Sequence, residues 1–126
     1  MQAFIIVFFG AGLGGAMRHG VNVLSTRLLG VGFPYATLIV NVIGSLVMGM
    51  LIDYFALRGE ASQHWRLFLT TGILGGFTTF SAFSLDVALL YERGETALAA
   101  CNAFGSVILA IGALFAGMWL TKQFPA

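Results

Sequence analysis

"GGFTTFSAFS", Gly75 to Ser84, lies inside an apolar run and sets Phe77, Phe80 and Phe83 three residues apart among Thr78, Thr79, Ser81 and Ser84. The run around it, about residues 67–91, is long enough to cross a membrane, because a hydrocarbon core of about 30 Å takes about 20 helical residues. Within the stretch, paired glycines are free to leave helical geometry, and hydroxyls can satisfy the backbone groups that such a departure releases. The pattern predicts a discontinuous helix. Unwound backbone at membrane depth is tolerated only where it is buried in protein or faces a cavity, and its carbonyls can then hold a bare cation.

Three further runs, about 3–28, 34–56 and 96–121, reach comparable length. Only helices and closed barrels satisfy their own backbone in lipid, and apolar runs this long are helical rather than alternating. The expected fold is an all-α membrane protein of four transmembrane helices with the third helix broken, occupying residues 1–126 as a single domain. The composition agrees, with 59% hydrophobic and 9% charged residues and a mean hydropathy of +0.95. A net charge of +1 from scattered residues gives no basic stripe for nucleic acid. The first run resembles a signal peptide in apolarity, but no Lys or Arg precedes it, so it is read as a retained span. Its second half carries Arg18, His19, Asn22 and Arg27 and must face protein or water. The connections "LLGVGFP", "LRGEASQHWR" and "ERGE" are short and turn-like or charged.

Glycines number 17, and Gly10 with Gly14, Gly72 with Gly76, and Ala113 with Gly117 stand four apart. Small residues at that spacing let helix backbones approach closely, within a subunit or between subunits. Topology is less constrained. One side of the membrane would hold Arg58, Arg66 and Lys122, the other Arg27 and Arg93, with Arg18 added if it belongs to that end. Such balance fits a chain that inserts both ways and assembles as an antiparallel dual-topology homodimer, and equally a small asymmetry that the insertion machinery reads. A dimer would also thicken the wall that four helices can offer to an aqueous path.

No catalytic set is visible, and an enzyme is not expected. His19 and His64 stand apart without further ligands at metal spacing, and no phosphate-binding loop or nucleophile elbow occurs. Cys101 is alone, which excludes an intrachain disulfide and fits a packing role. Asp53 and Asp86 fall near span ends, where a carboxylate reaches water or a basic neighbour. What remains is neutral polarity: Thr37, Asn41 and Ser45 at four-residue spacing, then Asn102 and Ser106. Residues four apart share a helix face. These stripes suit interhelical hydrogen bonds or a lined pathway. Phe80 and Phe83 are neighbours on one face, which suits core packing; it also suits an anion path, because a ring edge is positive and conduction needs weak sites.

These residues together resemble a known family. "GGFTTFSAFS", "NVIG" at Asn41 to Gly44, "GGAMR" ending at Arg18, and four spans in this length are similar to the bacterial fluoride channels of the CrcB/Fluc family. The resemblance covers essentially the whole chain. It implies an antiparallel dual-topology homodimer in the inner membrane, exporting fluoride passively through two pores and so lowering fluoride toxicity. It implies that Phe80 and Phe83 turn ring edges toward fluoride, that Asn41 donates to it, and that Thr37 and Ser106 belong to a polar track. Thr79, Ser81 and Ser84 would serve the helix break or that track. Backbone carbonyls of Gly75 and Thr78 from both subunits would hold a central structural sodium ion that is not transported, and Arg18 would sit at a vestibule. Members often carry a tyrosine where Asn102 aligns and a serine at Ala110, so that end of the track departs from the pattern; a glutamate is common at Asp86, a departure that matters only if reach is important. The alternative for a chain of this size is a dual-topology multidrug/proton antiporter, which would need a buried Glu in its first span; this chain has none there.

Overall fold

The computed structural model describes residues 1–58 and 63–123. The middle of the second connection, Gly59 to Ser62, and the last three residues lie outside them. The element order is α1 (Gln2–Leu29), α2 (Tyr35–Arg58), α3 (Gln63–Leu67), a π-helical turn (Phe68–Leu74), α4 (Gly75–Phe77), α5 (Ser81–Glu92) and α6 (Thr96–Gln123). Every element is helical. Four stretches are long and apolar enough to cross a membrane: Gln2–Leu29, Tyr35–Ala56, Gln63–Glu92 and Thr96–Gln123. The third begins four residues earlier than the sequence suggests. His64, Trp65 and Arg66 are helical rather than loop, with the Trp65 indole edge-on to Phe68 at 5.9 Å and the Arg66 guanidinium 5.4 Å from the centre of the Phe55 ring. Those ring contacts extend the helix through residues whose polarity alone suggested a connection.

Close backbone approach organises the bundle. Gly10 and Gly14 of α1 meet Gly72 and Gly76 of the third span, so that a Cβ on Gly14 would strike the Ile73 carbonyl and one on Gly76 the Ala11 carbonyl. The glycine pairs legible in the sequence thus form one crossing. α2 and α6 make the most extensive helix pair, and again glycines carry it: a Cβ on Gly49 would strike the Leu114 carbonyl, and one on Gly117 the Leu46 carbonyl. With no hydrophobic drive between helices in lipid, such approach is what dispersion and packing require.

The ends are tied by polar contacts. At one end Thr121 Oγ1 donates to the Met50 carbonyl at 3.1 Å, and Lys122 Nζ stands 3.6 Å from the buried Asp53 carboxylate. At the other, Gly30 closes α1 at φ 82°, its N–H donating to the Thr26 carbonyl, and Arg93 pairs with Glu95 at 2.8 Å. The buried apolar core is small, with Val40 and Leu90 the largest fully buried side chains. Phe4, Phe8, Phe104, Ile108 and Phe115 point outward, as expected where lipid or another subunit is the solvent. Cys101, a lone cysteine expected to pack, is exposed on α6, so it takes no part in packing within the protomer.

Candidate functional site

The site is built at the interruption of the third span. Helical residues stop at Phe77, Thr78 is extended at φ −86° and ψ 160°, and helix resumes at Ser81. The local chemistry explains why. Thr78 sends both its N–H and its Oγ1 to the Leu74 carbonyl, at 3.0 and 2.9 Å, so it ends the preceding ladder. Thr79 Oγ1 then accepts the Ala82 N–H at 3.2 Å and shares a 3.3 Å hydrogen bond with Ser81 Oγ, which caps the first turn of α5. Ser84 Oγ donates to the Phe80 carbonyl at 3.0 Å.

Asn41 locks the interruption from α2. Its Nδ2 donates to the Thr79 carbonyl at 3.0 Å and its Oδ1 accepts the Thr79 N–H at 2.9 Å. Continuous helix would have sent that N–H to the Gly75 carbonyl; Asn41 takes it instead, and Gly75 O loses its ladder donor. An amide nitrogen carries two donors, so one Asn41 N–H is left for a ligand. Gly44, one turn along, leaves the space that the Thr78 methyl occupies. From α1, Arg18 Nε donates to the Gly76 carbonyl at 3.1 Å. α1 and α2 thus hold the three non-helical residues, Thr78 to Phe80, in place between α4 and α5.

A groove of ≈ 440 Å³ opens beside the interruption, and Asn41, Gly75, Thr78, Phe80, Phe83 and Ser106 all line it. The Phe80 and Phe83 rings lie 5.7 Å apart and tilted by 54°. Phe80 is 76% exposed whereas Phe77 is 7% exposed: equal spacing in sequence conceals opposite environments. On the α6 side, Ser106 Oγ donates to Asn102 Oδ1 at 2.8 Å, both residues being buried. The Asn102 amide nitrogen has no partner among the described residues, and nothing in the sequence marks it beyond its spacing from Ser106.

Thr37 and Arg18 fall elsewhere. They line a second cavity of ≈ 220 Å³ with Asp86 and Asn22, in which Thr37 is hydrogen-bonded to the Asp86 carboxylate. Thr79 borders both cavities, so the two sets of residues meet at the segment that Asn41 clamps. Ser81 and Ser84 line neither; their hydroxyls serve the backbone and Thr79. Among the described residues no His, Cys, Asp and Glu cluster could hold a metal, and the groups at the interruption able to ligate a cation are backbone carbonyl oxygens.

Comparison with known proteins matches the chain along nearly its whole length. The family model described as "CrcB-like protein, Camphor Resistance (CrcB)" matches residues 5–118. A protein of Nitrobacter hamburgensis named fluoride-specific ion channel FluC 2 is 57% identical over 120 residues, covering 95% of this chain and 97% of its own. One of Rhodopseudomonas palustris named fluoride-specific ion channel FluC is 60% identical over 121 residues, covering 96% and 98%. Another of that name, from Granulibacter bethesdensis, is 54% identical over 122 residues, covering 97% and 96%.

Proposed function

Because the chain belongs to the CrcB-like family, we infer that it is a fluoride-selective ion channel of the bacterial inner membrane, and not an enzyme. It lets fluoride leave the cytoplasm passively. Fluoride enters cells as HF, dissociates and is trapped as the anion; a selective leak allows an inside-negative potential, worth about 2.3 kcal/mol per elementary charge per 100 mV, to drive it out. The observation that carries this reading is the groove that collects Asn41, Phe80, Phe83 and Ser106 beside irregular backbone.

Each of these groups offers a weak, positive or hydrogen-bonding contact in place of water. Asn41 supplies its second amide N–H, and Phe80 and Phe83 supply ring edges. Ser106, bonded to Asn102, continues a polar track along α6, and Thr37 belongs to its extension past Thr79. A fixed cation at the narrowest point would bind the anion too firmly to release it. Arg18, tied to Gly76, lends its charge from the adjoining cavity. Thr79, Ser81 and Ser84 maintain the helix break.

The functional unit is an antiparallel dual-topology homodimer with two pores. The exposure of Phe80 and the open side of the groove support it, since a single protomer leaves the rings unwalled. At the dimer centre the carbonyls of Gly75 and Thr78 from both subunits would hold a sodium ion. The donor set fits, because carbonyl oxygens suit a hard cation and Gly75 O has been freed by Asn41. When bound, the ion supplies positive charge that joins the two interruptions; it is not transported.

Purified protein in liposomes tests this reading against an antiporter. Fluoride efflux that persists without ATP or a proton gradient is the expected result, and efflux that requires a proton gradient would contradict it.

A further inference from the structure

Beyond the second cavity lies a third, of ≈ 240 Å³, bordered by the loop after α1, the start of α2 and the end of α5. It shares Asn22, Ala36, Thr37 and Asp86 with the second. Through Thr79 the second adjoins the groove, so a run of bordering cavities leads from the surface of the bundle to Phe80 and Phe83. Its outermost charged group is Arg93. Asp86 lies within α5 and Arg93 is the residue that ends it, seven positions on; an Asp86 carboxylate oxygen is buried whereas the Arg93 side chain is half exposed, which puts the guanidinium toward the rim.

Without that guanidinium the mouth is unfavourable for an anion. Asp86 Oδ2 is buried without a hydrogen-bond partner, and Glu92 and Glu95 stand beside Arg93 in the chain. The guanidinium is also only partly engaged. Among the described residues both its hydrogen bonds leave from Nη2, to the Gly32 carbonyl at 3.2 Å and to Glu95 Oε2 at 2.8 Å. Its remaining donors face the cavity or water, since the side chain is half exposed. The Gly32 bond fixes where the charge sits; the Glu95 bond attenuates it.

Resting on the fluoride-channel reading, we propose that Arg93 is an anion-collecting residue at the rim of this vestibule and that Glu95 sets the strength of its field. A rim charge concentrates a permeant ion at the entrance and acts on conductance, not on selectivity deeper in the path. Its influence is screened by salt, which separates it from a structural role.

The test is single-channel fluoride conductance in planar bilayers at low and high ionic strength, where the Debye length falls from about 30 Å at ~0.01 M to about 3 Å at ~1 M. Arg93→Gln keeps a donor for Gly32 but removes the charge. It should lower conductance about threefold at low salt, less than the tenfold or more that a whole charged cleft supplies because a single half-exposed charge is removed, and leave it unchanged at high salt. Arg93→Lys should restore the low-salt value, and Glu95→Gln should raise it. Wild-type conductance in Arg93→Gln at low salt, a deficit equal at both ionic strengths, or failure of lysine to rescue would overturn the rim. If the wild type itself carries no fluoride current, the channel reading falls and the rim with it; a conducting wild type with a salt-independent Arg93→Gln removes the rim alone.

Discussion

Asn41 uses both ends of its amide on Thr79, and on the proposed reading its second N–H would also meet the ion, so its loss would act twice. Asn41→Ala leaves the partly buried N–H and carbonyl of Thr79 without partners, a cost of about 1–3 kcal/mol for each such group. The expected outcome is a lower melting temperature in detergent together with lower fluoride flux; a stable protein of unchanged flux would show that the clamp is incidental. If the Phe80 and Phe83 rings line the pore, their replacement should act on flux alone. Phe80→Ile or Phe83→Ile retains apolar bulk but removes the ring edge, and a loss of about 1 kcal/mol, roughly fivefold in rate, is expected while the dimer still assembles. Unchanged flux in both would return the rings to packing. At this scale the sequence was only partly legible. The three phenylalanines share one spacing, and what separates Phe77 from Phe80 is burial, which depends on neighbouring helices. Asn41 was recognisable as polar inside a span, but its partner 38 residues away was not. The exposed face of Cys101 was invisible for the same reason.

The crossing of α1 with the third span places glycine against backbone. Gly14→Ala gains about 1 kcal/mol of helix propensity, yet its methyl meets the Ile73 carbonyl and Phe77 N, atoms that cannot rotate away. Overpacking of this kind costs about 1–3 kcal/mol, so the clash should prevail. Thermal stability is expected to fall for Gly14→Ala and to hold or rise for Gly12→Ala, which meets no atom of its own protomer within 4 Å; equal stability of the two would contradict the crossing. Four-residue glycine spacing announced these contacts, because close approach leaves a compositional trace. The early start of the third span left a weaker one. Its first turn carries Gln63, His64 and Arg66, and only the edge-on contact of Trp65 with Phe68 and the Arg66 guanidinium over Phe55 reveal why polar residues continue the helix. The π-helical turn Phe68–Leu74 has no such signature at all.

Taken as a whole, the protomer turns much of its apolar surface outward, and the groove with Phe80 opens on that surface. Composition sufficed to show a four-span membrane protein; it could not show which outward face meets lipid and which would meet a second copy in the proposed dimer, since both would be apolar. If carbonyls of Gly75 and Thr78 from two subunits share a sodium ion, assembling the protein in potassium or a bulky cation should weaken the dimer, read as the monomer fraction at limiting concentration, and sodium should restore it. A dimer indifferent to the cation would remove that site while leaving the pore intact. The proposed function stands on selective passage of fluoride along Phe80, Phe83 and Asn41. It is tested most directly by the reversal potential of the purified protein in a bilayer with fluoride graded tenfold and chloride on both sides. Reversal is expected at the fluoride equilibrium potential, about 59 mV for a monovalent ion, whatever the chloride concentrations. A reversal that follows chloride, or lies near zero, would contradict it.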